Sequence, residues 1–197
     1  MKKFFAVVIL NLILICNVAL AADENQSQIA EYEKIIDLFD LDNEVDEMEL
    51  LNNAQKLQAI DPHNLIAFRA TVHYYRKHGE LQTAIYYCNS TAKFKYSTEL
   101  TIEAYYQLAD IYQHEFNVPF RVQKFLRKGI DIVKKKYSRK EIEKFVNGTN
   151  IIYDGKNFHG KTNTIRDLYI LKNEYEKSSP KIEETAEGKI FKYQTDW

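Results

Sequence analysis

The stretch from Gly155 to Thr162, GKNFHGKT, has the spacing of a loop that cradles phosphate. In such a loop Gly155 and Gly160 let backbone amides point at phosphate oxygens, Lys161 reaches the terminal phosphate, and Thr162 holds magnesium. Residues 150–153 read as a short strand before the loop, and Ile165 opens a helical pattern after it. Three features oppose a nucleotide site. The loop belongs in a parallel sheet, whereas the chain upstream reads as paired helices. Only 35 residues follow Thr162, and they hold no second apolar strand ending in an aspartate for the metal. Nucleotide is also scarce outside the cytoplasm, where the amino terminus directs the chain. Nucleotide binding through Gly155, Gly160, Lys161 and Thr162 is therefore the minor alternative, and the expectation is a protein without a cofactor.

The remaining reactive residues form no catalytic or metal-binding constellation. Asp40, Asp42 and Glu44 have the odd-position acids of a calcium loop. Val45 stands where that loop needs glycine, and Leu51 where a glutamate supplies two oxygens, so the acids read as a solvated turn. His73 and His78 are five apart and fall on different helix faces. His114-Glu115 has no second histidine four residues on. Cys88 falls on an apolar helix stripe and reads as a small core residue. The tripeptides at Asn25, Asn89 and Asn147 match glycan acceptors and matter only in a eukaryotic secretory route.

The amino terminus carries an address. Lys2 and Lys3 precede an apolar run from Phe4 to Ile15, and Ala19-Leu20-Ala21 offers the small residues a signal peptidase needs. Residues 1–21 are expected to be a cleaved secretory signal, which makes the mature protein exported, periplasmic or secreted in a bacterial envelope. The apolar run is short for a membrane span, and no longer run follows. The mature part suffices for one domain with a real core. Charge is uneven: 12 acids face 2 bases from Asp23 to Asp61, whereas 16 acids face 23 bases from Pro62 onward. The basic excess peaks between Arg121 and Lys144. Such asymmetry can mean an acidic partner, nucleic acid or a membrane surface, but it reads first as a solvated face or as attraction between the two ends, and an exported protein has little use for nucleic acid.

These residues sit on elements that recur. Phe68, Thr71, Val72 and Tyr75 form an apolar stripe at helical spacing, Gly79 breaks it, and Leu81, Ala84, Ile85, Cys88 and Thr91-Ala92 form a second. Two short helices joined by a glycine turn pack antiparallel, because neither buries its stripe alone. Thirty-four residues before Tyr96 stands Pro62, preceded by Leu50, Ala54 and Leu57 on one face of a helix. Tyr32, Ile35, Ile36 and Phe39 mark its partner. Asp61 is expected to cap the helix that follows, with Pro62 at its first position. Further on, Tyr105, Leu108, Ala109 and Tyr112 repeat the first stripe, and Val122, Leu126, Gly129 and Ile130 the second, with an extra residue near Pro119.

Phe68, Thr71-Val72, Tyr75, Gly79, Ala84, Cys88 and Thr91 resemble the signature of the tetratricopeptide repeat family; Tyr96 departs from its closing proline. The resemblance implies an all-α fold in which antiparallel helix pairs stack as a short right-handed solenoid. About three copies fit between residues 28 and 136, the first and third degenerate. It also implies that first helices line a groove. Ile66, Arg69, His73, Arg76 and Lys77 would form one wall, and Glu103, Tyr106, Asp110, Gln113 and His114 the other. Such walls suit an extended, acidic peptide of another protein. Tyr74, Tyr86 and Tyr106 fall off the packing stripes and are expected at an interface.

Residues 138–197 form a divergent cap. Ser138 and Glu141 make a capping box for a helix through Ile142 and Phe145, ended by Asn147-Gly148. Residues 149–162 are rich in turn formers. Ile165 to Tyr175 reads as a helix stopped by Ser178-Ser179-Pro180, and a loose charged tail follows. The functional expectation is a non-enzymatic scaffold or adaptor that binds another protein. A helical bundle acting through oligomerisation is the other alternative.

Overall fold

A computed structural model describes residues 25–34, 47–147, 161–178, 181–185 and 188–192. Helices account for these residues apart from short turns and one hairpin. They are α1 (residues 25–34), α2 (Glu47–Ile60), α3 (Leu65–Lys77), α4 (Leu81–Phe94), α5 (Thr98–His114), α6 (Pro119–Lys136), α7 (Arg139–Asn147) and α8 (Lys161–Ser178). Strands β1 (Lys181–Thr185) and β2 (Gly188–Lys192) pair antiparallel, with Lys181 opposite Lys192 and Thr185 opposite Gly188. The segment read from sequence as a loose tail thus contains a hairpin. The expected signal peptide, the second half of the first repeat's first helix and the acidic turn at Asp40, Asp42 and Glu44 lie outside the described residues. No described helix is long and apolar enough to cross a membrane.

The chain divides into two compact units, Met1–Tyr74 and Tyr75–Trp197, with the boundary inside α3. In the first, Leu50, Ala54 and Leu57 of α2 pack with Ala67 and Ala70 of α3. Ile29 and Tyr32 of α1 and Ile66 of α3 border this cluster. Ile66 therefore contributes to packing as well as to the expected groove wall. The helix start differs from expectation. Asn64, not Asp61, caps α3: its Oδ1 accepts from the Ala67 amide at 3.0 Å. Asp61 Oδ1 accepts from the His63 amide at 3.0 Å, so the aspartate closes the preceding turn instead. Asn64 Nδ2 also donates to Glu33 Oε1 at 2.7 Å, tying α1 to the start of α3. Tyr74 is buried and donates its hydroxyl to Met48 Sδ at 3.0 Å, which corrects its placement at an open interface.

The turn between α3 and α4 has the form its glycine implies. Gly79 takes φ +73°, its amide donates to Arg76 O at 3.0 Å, and the Glu80 amide donates to Tyr75 O at 2.8 Å. Those bonds satisfy the last carbonyls of α3, and only glycine adopts the required backbone without strain. Ser97 caps α5 by accepting from the Leu100 amide at 3.0 Å. Pro119 opens α6.

Helix α5 is the centre of the second unit and packs on α4, α6 and α8. Val122, Phe125, Leu126, Gly129, Ile130 and Val133 form the buried stripe of α6. Helix α8 returns from further along the chain to pack on α5, α6 and α7. Gly129 permits this approach: a Cβ there would lie 3.0 Å from Leu168 Cδ2. Cys88 is fully buried, as its stripe position predicts. The α7 capping box is present, with the Ser138 amide donating to Glu141 Oε2 at 2.8 Å.

Candidate functional site

Two polar arrangements in the second unit could carry function, and they differ in how far the chain satisfies its own groups. The first runs along α5. Glu103 is fully buried; its Oε2 accepts from the Thr164 hydroxyl at 2.7 Å and its Oε1 from Gln107 Nε2 at 2.9 Å. Arg76 reaches Gln107 Oε1 at 3.3 Å, Asp110 Oδ2 at 2.6 Å and Glu115 Oε1 at 3.2 Å. His114 Nδ1 lies 3.0 Å from Asp110 Oδ1. The spacing 103, 107, 110, 114 places all four α5 residues on one helix face, so a continuous chain of contacts runs from buried Thr164 to exposed His114.

The electrostatics follow. Burial alone would lower the Arg76 pKa, but Asp110, reinforced by Glu115, more than offsets it and holds the guanidinium above its usual range. Burial, then the nearby Glu103 carboxylate, pushes the Cys88 thiol up, so it stays protonated and unreactive. Among the expected groove residues, Arg76 and Asp110 thus neutralise one another. Glu103 is removed from any groove because α8 covers it. His73 and Lys77 are exposed, while Arg69, Tyr106 and Gln113 are half-buried. Gln113 Oε1 is buried with no hydrogen-bond partner among the described residues.

The second arrangement is an open cleft of about 430 Å³ where the end of α6 meets α7 and α8. Lys134, Tyr137, Arg139, Ile142, Glu143 and Tyr169 line it. Phe145 meets the Tyr137 ring edge-on at 5.3 Å, which fixes the ring as a wall. The Tyr137 hydroxyl donates to Glu99 Oε1 at 2.9 Å; burial and then that bond push its pKa up to about 12. Burial also raises the pKa of Tyr169. Arg139 pairs with Glu143 at 2.9 Å, but its side chain is 94% exposed, so solvent screens the pair. Lys134 is exposed at the rim. The cleft therefore offers aromatic and aliphatic walls beneath a cationic edge. Sequence reasoning missed it, because Tyr169 reaches the α6–α7 corner only through the fold.

The phosphate-loop residues divide. Gly155 and Gly160 lie outside the described residues, whereas Lys161 opens α8 and Thr162 follows it. Among the described residues the only sheet is the antiparallel hairpin, and α8 packs on helices. No group of three or more His, Cys, Asp or Glu among the described residues could hold a metal ion. No family model, no curated protein and no solved structure matches this chain.

Proposed function

We propose that this protein is a non-enzymatic docking module that holds a segment of another protein. The segment's anchor is an acidic stretch with one large apolar side chain, seated in the α6–α7–α8 cleft. The observation that carries the reading is the cleft itself: apolar walls from Tyr137, Ile142 and Tyr169 beneath the rim cation Lys134. An apolar side chain fills the walls while a neighbouring carboxylate meets the rim. The expected groove formed by Arg69, His73, Arg76, Lys77, Tyr106, Asp110 and Gln113 is less suited, because Arg76 and Asp110 are already matched.

A tetratricopeptide-like stack remains part of the proposal. Supporting it, α2 and α4 begin 34 residues apart, at Glu47 and Leu81, and short turns join α3 to α4 and α5 to α6. Export through residues 1–21 is likewise proposed, and amino-terminal sequencing of the mature protein tests it.

Selection from a displayed library of random peptides tests the function. The expected result is a consensus of acids around one aromatic or aliphatic residue. Its binding should weaken about tenfold or more with Ile142→Glu, which places a like charge in the apolar wall. A library that yields no binder, or binders indifferent to Ile142→Glu, would overturn the reading.

A further inference from the structure

The exposed face of α6 is unlike the rest of the described surface. Between Pro119 and Asn147 the chain has ten basic residues and three acids. Arg121, Lys124, Arg127, Lys128, Lys134 and Lys135 are all exposed. At 100° per residue, Lys124, Arg127, Lys128, Lys134 and Lys135 share one side of the helix, opposite the buried stripe that Val122 begins. Asp131 is the sole acid of α6. No carboxylate among the described residues pairs with Arg127, Lys134 or Lys135. The charges extend over about 20 Å of helix at 1.5 Å per residue.

Phe120 stands at the start of that same side and is 67% exposed, with exposed Phe116 just before the helix. Arg121 leans over the Phe120 ring at 5.7 Å and the Tyr112 ring at 5.0 Å. The Lys124 and Lys128 ammonium groups lie 5.7 Å and 6.0 Å from the centroid of Phe125. Both lysines remain exposed to solvent while their ammonium groups rest near aromatic rings.

We propose that this face of α6 docks on an anionic lipid bilayer, with Phe120 entering the headgroup region and the cation row lying against the surface. Charge complementarity selects the partner. A membrane surface presents negative charge with no fixed geometry, which suits flexible lysine point charges. Lysine supplies four of the six charges. A nucleic acid groove favours forked arginine contacts, with aromatic rings interleaved along the row for stacking. Here the exposed rings stand at one end, as an anchor beside a row of charge does. The row shares Lys134 with the cleft rim, but Phe120, Arg127 and Lys135, the residues that test it, do not line the cleft.

The test is flotation of the full chain with vesicles of phosphatidylcholine alone or with about one third phosphatidylglycerol. Expected is binding to the anionic vesicles only, released at high salt. Arg127→Glu with Lys135→Glu should lower partitioning about tenfold or more, because each basic residue at the surface contributes an increment of attraction. Phe120→Ala should weaken binding at unchanged charge, which separates anchoring from electrostatics even where the double reversal perturbs folding. Equal binding to neutral vesicles, indifference to both variants, or tighter binding to duplex DNA or RNA than to anionic vesicles would overturn the proposal.

Discussion

Thr164→Val probes the join that closes the second unit. Thr164 is 1% exposed and its hydroxyl donates to the fully buried Glu103 at 2.7 Å. Valine keeps the side-chain shape, so little cavity opens and the change isolates the hydrogen bond. A bond to a charged acceptor contributes about 1.5–3 kcal/mol, and Glu103 stays buried with one fewer donor. A loss of about 2 kcal/mol is expected. With a urea slope of about 2 kcal/mol per molar, the midpoint followed by circular dichroism should fall by roughly 1 M. Thr164→Ser keeps the hydroxyl and loses one buried methyl, which costs about 1 kcal/mol. The expected order is therefore wild type, serine, valine. In a Glu103→Gln background the acceptor is neutral, and the valine change should cost only about 1 kcal/mol. A valine variant as stable as wild type, or more stable than the serine variant, would refute the role assigned to this pair.

Other consequences are equally direct. Gly129→Ala should destabilise by about 1 kcal/mol despite the better helix former, because its Cβ would press Leu168 in the core, and thermal melting measures the sign. Cys88 should resist a thiol reagent in the native protein and react fully in urea, as its burial and raised pKa require; rapid native labelling would contradict the packing of α4. Tyr137 has a folded pKa raised to about 12 against the usual 10, so its contribution is complete below about pH 10 and is lost as pH rises through about 12. The stability of Tyr137→Phe should accordingly fall less steeply across that window in alkaline denaturation.

The helical character and the main packing stripes were legible because their evidence is local. Gly79 announced its turn, Ser138 and Glu141 their box, and Cys88 its burial. What failed depended on distant partners. Glu103 reads as an open groove position until Thr164, 61 residues later, covers it. Tyr74 sits off its helix's apolar stripe, yet finds Met48 across the first unit. Asp61 reads as the cap of the next helix, but Asn64 takes that place and Asp61 instead accepts from the His63 amide in the turn before it. The segment read as a third copy has longer helices than the segment read as the second: α5 and α6 run 17 and 18 residues, against 13 and 14 for α3 and α4. The cleft is a meeting of three helices and leaves no periodic mark.

The most direct test of docking at the cleft is an amide NMR titration of the isotope-labelled protein with a selected acidic peptide. The account predicts shifts concentrated at the end of α6, in α7 and along the Tyr169 face of α8. Shifts centred instead on His73, Lys77 and the Tyr106–Gln113 face of α5, with the cleft silent, would contradict it.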